Sequence, residues 1–341
     1  MFSCMACAMN RRRFLATAMG TAVGLALSAS RVRAAAQAGP VIDFHTHMAD
    51  SQLPLVIRGD SREALLNPEV HISRMQRLGI DRHVVGHSGG IQGISWSNAR
   101  EDLAIIRRNN DAIARDWIGR HPTRFMGAFG LPTQDLDLAM PELERMVQTP
   151  GMRVLQVSSH TPNNIYYGDP SLDPLMAALE RHNIILFIHP HLQNRAPPLD
   201  KFLLFNSIGQ GIEEAKVMAN IIYNGVFEKF PRLKILIAHG GGFLPHYSGR
   251  MDRNADNTPD SVVNLKDRPS AYLKRFWYDS CVYSPDVLAR LVQAVGVDRV
   301  VLGGDYPVGG PEPIAEIRAA RGLSAADVSS ILAGNAARLL A

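Results

Sequence analysis

Cysteine is scarce in this chain of 341 residues, which has only Cys4, Cys7 and Cys281. The first two fall within residues 1–38, a segment that we expect to be removed, so Cys281 alone remains beyond it. A single cysteine cannot close an intrachain disulfide, nor can it supply the several thiolates of a cysteine-based metal site. Residues 39–341 therefore hold neither a disulfide framework nor a cysteine metal site.

An apolar run long enough for a transmembrane helix is also missing near the start. Residues 14–30 are uncharged and rich in Ala, Gly and Leu, and arginines flank them at 11–13, 31 and 33. Small residues at 34–38 offer cleavage sites, and the paired arginines before Phe14 are typical of a twin-arginine export signal. We expect residues 1–38 to be such a signal peptide and the remainder to be periplasmic or exported, with no stable membrane span. The alternatives are a membrane anchor or a true start at Met9.

Basic charge is lacking once that segment is set aside. The whole chain has a net charge of +4, but residues 1–38 contain five arginines and no lysine or acidic residue, so residues 39–341 carry −1. This balance gives no basis for a nucleic-acid partner. A hydrophobic content of 46% and a charged content of 20% are typical of a soluble globular protein.

Short apolar runs and amphipathic segments alternate after residue 40, which is the pattern of repeated βα units. Eight runs fit strands, and they are Val41–His45, Arg82–Gly86, Phe125–Gly130, Val154–Ser158, Ile184–His189, Leu233–His239, Phe276–Cys281 and Val300–Asp305. Helices are predicted between them, for example at 99–118, 136–147, 172–181, 213–228 and 285–294. Eight strand–helix units predict a single (β/α)₈ TIM barrel over residues 39–341.

Histidines and one aspartate stand at the ends of these strands. His45 and His47 share one side of strand one because residues two apart in a strand point the same way. Strand five ends at His189, strand six at His239 and strand eight at Asp305. A single histidine at a strand end is usually a capping or packed residue. Four of them with an aspartate, all at the C-terminal rim where active sites of this fold lie, predict a metal site.

Several motifs make the chain resemble the amidohydrolase superfamily, in the amidohydrolase-related branch that includes aminocarboxymuconate-semialdehyde decarboxylase. They are Asp43-Phe44-His45-Thr46-His47, Ile188-His189-Pro190, Ala238-His239-Gly240-Gly241-Gly242, Gly304-Asp305-Tyr306-Pro307 and Gly334-Asn335-Ala336-Ala337-Arg338-Leu339. The resemblance spans essentially all of residues 41–341. It implies the metal-dependent hydrolase type of TIM barrel.

The resemblance also implies a role for each matching residue. His45, His47, His189 and Asp305 match the ligands of one divalent metal ion, for which zinc is our first expectation and manganese or iron(II) the alternatives. His239 matches the catalytic histidine beside the metal, and Asp305 is expected to share in proton transfer. Strand four carries no lysine at its end, which favours one metal ion over two.

Two further residues are candidates for binding the substrate. Arg250 lies eleven residues after His239, the spacing at which the decarboxylase has an arginine that reaches the partner subunit's site and holds a substrate carboxylate. The resemblance therefore implies a homodimer, although an exposed loop arginine is often merely solvated. His191, where the decarboxylase has an aromatic residue, is a candidate for substrate contact, with simple surface exposure an equal alternative. The remaining histidines are expected to be structural: His71, His83, His87, His121, His160 and His182.

A metal ion with an open coordination position suits two reactions. It can stabilise the charge that develops as CO₂ leaves an aromatic or muconate-type carboxylate. It can also activate water against an amide, ester or lactone, or for hydration of an unsaturated acid. The resemblance and Arg250 favour a non-oxidative decarboxylase, with hydrolase or hydratase as the alternative. A non-catalytic barrel that binds a metal or small ligand is a third, remote possibility.

Overall fold

Eight parallel strands form the centre of the protein, which is described by a computed structural model over residues 39–49, 60–87, 98–190 and 197–341. The expected signal peptide and His191 lie outside these residues. The strands are β1 (Ile42–Met48), β2 (Arg82–His87), β3 (Phe125–Phe129), β4 (Met152–Val157), β5 (Ile185–Ile188), β6 (Ile235–Ile237), β7 (Trp277–Asp279) and β8 (Val300–Val301).

Each strand pairs with the next one in sequence, so the sheet runs in the order β1 to β8. The first and last strands approach each other through backbone hydrogen bonds beyond the regular ladder. The Phe44 amide donates to the Leu302 carbonyl at 2.9 Å, and the His47 amide donates to the Tyr306 carbonyl at 2.7 Å. The result is a nearly closed, TIM-barrel-like sheet.

Helices connect consecutive strands, as a parallel sheet requires, and three more follow the last strand. They are α1 (Asp60–Leu66), α2 (Pro68–Leu78), α3 (Ala99–Ala112), α4 (Leu136–Val147), α5 (Asp173–His182), α6 (Gln210–Tyr223), α7 (Val226–Lys229), α8 (Gly249–Asn257), α9 (Pro285–Val295), α10 (Pro313–Ala319), α11 (Ala325–Ser329) and α12 (Asn335–Leu340). Side-chain oxygens of Asn67, Asn98, Asp135 and Ser284 cap the N-termini of α2, α3, α4 and α9. In the described part of the chain, no helix has both the length and the apolar character needed to cross a membrane.

Alternate residues of the strands belong to two different hydrophobic clusters. Val154 and Phe187 lie in one cluster, whereas their sequence neighbours Leu155 and Leu186 lie in the other, which also contains helix residues such as Val217. This alternation follows from the two-residue period of a strand. The first cluster fills the barrel interior, and the second packs the helices against its outer face.

All eight predicted strands are present at the predicted places, but several are shorter than the apolar runs. In the predicted strand Val300–Asp305, regular strand pairing ends at Val301, and residues 303–305 have irregular backbone. The helix predicted over 213–228 is two helices, α6 and α7. Gly225 separates them because its φ of 65° is left-handed and cannot continue a right-handed helix.

Candidate metal centre

The histidines and the aspartate predicted from the strand ends all lie at the C-terminal rim. His45 and His47 are part of β1, while His189, His239 and Asp305 directly follow or lie just beyond β5, β6 and β8. The pairing of β1 with β2 shifts register between Asp43 and Thr46. This irregularity includes His45, the first of these histidines.

Four of these side chains converge on one point. The ligand atoms offered by His45, His47, His189 and Asp305 lie within 4.8 Å of one another, and all four residues are buried. His47 Nε2 is 2.9 Å from Asp305 Oδ1, and His45 Nε2 is 3.3 Å from the same oxygen. Three imidazoles and a carboxylate at this spacing could hold a single divalent cation.

The unpartnered atoms of this group test whether a metal ion fits. Both ring nitrogens of His189 and the Nε2 atom of His45 are buried and have no hydrogen-bond partner among the described residues. Burying such polar atoms without a partner is costly. Coordination of a cation would satisfy one nitrogen of each ring, so the residues present fit a divalent metal ion.

Two acceptors orient the imidazoles of β1. His45 Nδ1 lies 2.6 Å from Asp279 Oδ2, at the end of β7, and His47 Nδ1 lies 3.1 Å from the His87 carbonyl oxygen. An Nδ1–H that donates to these oxygens leaves Nε2 of each ring turned toward Asp305, as a ligand must be. Burial lowers the pKa of His45, but the carboxylates of Asp305 and Asp279 outweigh it and raise that pKa to about 9.

A carboxylate from helix α6 holds His239. The His239 Nδ1 atom is 2.6 Å from Glu214 Oε1, and Glu214 is fully buried. Gly242 makes room for this pair, because a Cβ there would lie 2.7 Å from Glu214 Oε2 and 2.5 Å from the Gly211 carbonyl oxygen. Although burial lowers the pKa of His239, the Glu214 carboxylate raises it well above 6.5. The ring is therefore fixed with a proton on Nδ1 and with Nε2 toward the cluster.

The two oxygens of Asp305 have different partners. Oδ1 faces the Nε2 atoms of His45 and His47, whereas Oδ2 accepts a hydrogen bond of 2.9 Å from the Tyr283 hydroxyl and lies 3.8 Å from His239 Nε2. Burial raises the pKa of Asp305, but the surrounding imidazoles outweigh it and hold that pKa well below 3.8. Asp305 is therefore an ionised carboxylate.

Three residues at this rim have a left-handed backbone conformation. His239, Tyr283 and Asp305 have φ values of 48°, 53° and 50°, a region that residues other than glycine rarely adopt. Such conformations cluster at functional sites because the surrounding contacts hold them. All three residues lie just beyond strands β6, β7 and β8, where the chain turns back toward a helix.

Asp279, Glu214 and Tyr283 were not predicted from the sequence. Asp279 carries a signal that could have located it, because it ends a strand in the same way as Asp305, but the predicted strand runs on to Cys281. Glu214 lies within a helix and Tyr283 within a turn, where no local pattern signals a distant partner. Cys281 is a buried free thiol.

The predicted substrate-binding residues are not part of the converging group. Arg250 is exposed in α8, and no hydrogen bond or ion pair within the described ranges joins it to the cluster. That position neither supports nor contradicts a role across a dimer interface. His191 lies outside the described residues, so its predicted substrate contact stays a prediction.

The fold and the site together define a class: a parallel barrel whose strand ends present three histidines, an aspartate and a further histidine around one cation position. A family model described as amidohydrolase matches residues 42–341, and the chain belongs to the amidohydrolase family.

Curated relatives of similar length are decarboxylases by name. The chain is 31% identical over 278 residues to 2-amino-3-carboxymuconate-6-semialdehyde decarboxylase of Dictyostelium discoideum, covering 80% of this chain and 76% of the relative. It is 28% identical over 278 residues to gamma-resorcylate decarboxylase of Polaromonas sp. (strain JS666 / ATCC BAA-500), covering 78% of this chain and 84% of the relative.

A solved structure shares the fold. Dihydroxybenzoic acid decarboxylase from Polaromonas sp. JS666, with bound manganese and the inhibitor 2-nitroresorcinol, superposes with a TM-score of 0.79 at 24% identity. The match covers 89% of this chain and 97% of that one. At this identity the likeness demonstrates the common barrel.

Proposed function

We propose that this protein is a metal-dependent non-oxidative decarboxylase that acts on an aromatic or muconate-type carboxylate. The observation that carries the proposal is the complete donor set beside His239, in a chain whose relatives over most of its length are decarboxylases of such acids. The reaction breaks the bond between the carboxylate and a substrate carbon, releases CO₂ and places a proton on that carbon.

His45, His47, His189 and Asp305 would hold the ion. A bound divalent cation supplies Lewis-acid stabilisation of the negative charge that develops on the substrate. Zinc is the ion we propose, since three imidazoles and a carboxylate suit it, and manganese is the alternative that the manganese-bound relative supports.

His239 is the residue that we propose delivers the proton. Its Nδ1 is held by Glu214 at 2.6 Å, so Nε2 is the atom left to exchange a proton at the site. Asp305 Oδ2, 3.8 Å from that nitrogen, is placed to stabilise the protonated ring.

The test is direct measurement of CO₂. Metal-loaded protein would be incubated with 2,6-dihydroxybenzoate, 5-carboxyvanillate and 2-amino-3-carboxymuconate-6-semialdehyde, and bicarbonate release followed with product formation. We expect CO₂ in equal amount to the decarboxylated product for at least one acid. The matched control is His182→Ala, which removes a histidine at the end of α5, away from the rim, and should leave the rate unchanged.

Amide, ester and lactone substrates belong in the same panel. Release of amine or alcohol from them, with no CO₂ from any acid, would show that the site is a hydrolase and would contradict the proposal. Loss of CO₂ release in His239→Ala with retained metal would support the proton role of His239.

The homodimer and the role of Arg250 remain proposals. Arg250 is exposed at the start of α8, a position compatible with contact to a second subunit. We expect Arg250→Ala to raise KM for the acid by about tenfold, as loss of a charge-assisted contact would. An unchanged KM, or a monomer in analytical ultracentrifugation, would contradict this part.

We also propose that residues 1–38 act as a twin-arginine signal and that the enzyme works in the periplasm or outside the cell. The paired arginines, the uncharged segment and the small-residue cleavage sites support this proposal. Replacing Arg11 and Arg12 by lysine should retain the protein in the cytoplasmic fraction. Unchanged export would contradict it.

A further inference from the structure

Tyr283 contacts the metal-site carboxylate from an unusual position. Its hydroxyl donates to Asp305 Oδ2 at 2.9 Å, although Tyr283 is 56% exposed and Asp305 only 6%. The Tyr283 hydroxyl therefore contacts a buried carboxylate although the residue as a whole is exposed. Exposed tyrosines ordinarily keep their hydroxyl in water, so this inward hydrogen bond requires an explanation.

The hydrogen bond fixes which oxygen of Asp305 meets the histidines. Oδ1 lies 2.9 Å from His47 Nε2 and 3.3 Å from His45 Nε2, while Oδ2 is occupied by the Tyr283 hydroxyl. A carboxylate with one oxygen held in this way cannot rotate freely about its terminal bond. Ligating carboxylates depend on such hydrogen bonds for their orientation.

The residue that makes this contact, Tyr283, has a strained backbone. Its φ of 53° lies in the left-handed region, which asparagine and glycine adopt readily and a bulky aromatic residue does not. The turn is held on both sides. Asp279 Oδ1 accepts from the Gly240 and Cys281 amides, and the Ser284 hydroxyl caps helix α9. Left-handed residues of this kind are found at functional sites, which directs attention to the side chain of Tyr283.

We propose that Tyr283 is a positioning residue for the reaction, in which its hydroxyl holds Oδ2 of Asp305 and keeps Oδ1 directed at His45 and His47. The turnover part of this inference rests on the proposed decarboxylase function, whereas the metal-binding part does not. Removing the hydroxyl should loosen Asp305, weaken the metal site and slow the reaction. The hydroxyl does not contact substrate in this proposal, so substrate binding should be unaffected.

Tyr283→Phe tests the hydroxyl alone, because the ring is retained. Affinity for Zn²⁺ would be measured by competition with a chelator, and kcat and KM with whichever acid is turned over. We expect Zn²⁺ affinity and kcat each to fall by about tenfold, with KM unchanged, within the range seen when a partner of a metal ligand is removed. Tyr247→Phe is the matched control, since Tyr247 is another exposed tyrosine, 68% exposed, outside the site.

Tyr283→Asn separates this role from a structural one. Asparagine suits the left-handed backbone, so the temperature of unfolding should stay the same or rise while Zn²⁺ affinity falls as in Tyr283→Phe. A tyrosine kept only for stability would give the opposite result, a lower unfolding temperature with unchanged affinity.

Two results would overturn the proposal. One is Zn²⁺ affinity and kcat in Tyr283→Phe equal to those of Tyr247→Phe. The other is a fall in kcat without a fall in Zn²⁺ affinity, because the hydroxyl would then act on the substrate and not through Asp305. If the unmodified protein decarboxylates no acid, the proposed function fails, but the Zn²⁺ measurement still decides the role of Tyr283.

Discussion

Two groups of buried histidines lie in the same barrel and have opposite surroundings. The metal-site histidines, His45, His47, His189 and His239, meet three carboxylates, and the ring nitrogens of His45 and His239 lie 2.6 Å from Asp279 and Glu214. The paired histidines, His71 and His83, contact each other through their Nδ1 atoms at 3.0 Å. Neither of the pair is hydrogen-bonded to a carboxylate within the described residues.

The difference appears in the proton affinities of His45 and His239. Burial alone lowers the pKa of an imidazole, and it lowers that of His71 to about 3 and that of His83 well below 6.5. Carboxylates reverse this effect at His45 and His239, whose pKa values are raised. At His47 and His189 burial outweighs the Asp305 carboxylate, and their pKa values are lowered. The paired rings pack against Trp117, Phe125 and Tyr306 and are neutral core residues. The proton affinity of a buried histidine thus depends on the carboxylates that face it as well as on its burial.

Removing a ligand should produce the largest effect. His189→Ala takes away the imidazole whose two nitrogens have no partner among the residues described. We expect loss of bound metal and a fall in kcat/KM of about a thousandfold, because the ion stabilises developing charge by several kcal/mol. Metal content by mass spectrometry and CO₂ release would be measured together. Stoichiometric metal in the variant would contradict the assignment of His189.

Asp279→Asn should have the next largest effect. Asp279 Oδ1 accepts from the Gly240 and Cys281 amides, so the asparagine oxygen should stay there and its NH₂ group should face His45 Nδ1. That NH₂ group would favour the tautomer with the proton on Nε2, the atom that should bind the metal. We expect metal affinity to fall by about 10- to 100-fold. Chelator competition would measure it, and an unchanged affinity would show that Asp279 does not control the tautomer.

Glu214→Gln should change proton transfer by His239 and leave metal binding intact. The amide can still accept from His239 Nδ1 through its oxygen, but it no longer favours a positively charged ring. We expect kcat to fall by roughly tenfold with metal content unchanged. This loss is smaller than the one usual when acid–base catalysis is removed entirely, because His239 itself is still present. A parallel loss of metal would mean that His239 is itself a ligand.

The paired histidines should show the smallest effect on activity. His83→Leu leaves His71 buried without its partner, which should reduce the free energy of unfolding by about 1–3 kcal/mol while kcat/KM of the folded enzyme stays within about twofold. In His71→Leu/His83→Leu no unpaired ring remains, so part of the stability should return. Urea denaturation would measure both variants. A large loss of activity in His83→Leu would remove the distinction between the two groups.

The pH dependence of stability should also report on the neutral state of the paired histidines. His71 has a pKa of about 3 in the folded chain and an ordinary value of 6.5. Between these values the unfolded chain binds more protons, so stability falls as the pH decreases from 6.5 toward 3. His71→Leu/His83→Leu should lose stability less steeply over this interval than the unmodified protein. Equal slopes would contradict the neutral state of the pair.

Much of the site could be predicted because strand ends of a parallel barrel meet at one rim. The apolar runs that end at His189 and Asp305 are enough to place those side chains there. Hydrogen-bond partners could not be located in this way, since Glu214 and Tyr283 lie in a helix and a turn whose sequences carry no period pointing to the rim. The backbone carbonyl oxygen of His87, whose side chain is expected to be structural, orients His47. Backbone atoms carry no sequence signal at all.

The closure between β1 and the segment after β8 has a consequence for biogenesis. His47 and Asp305 are 258 residues apart, and the amide of His47 bonds to the carbonyl of Tyr306. A nascent chain that has not yet released residue 305 from the ribosome cannot assemble the cation site, however well its earlier strands have folded. An ion bound by all four residues would therefore enter late in folding, and a loaded molecule would be one whose first and last strands have already met.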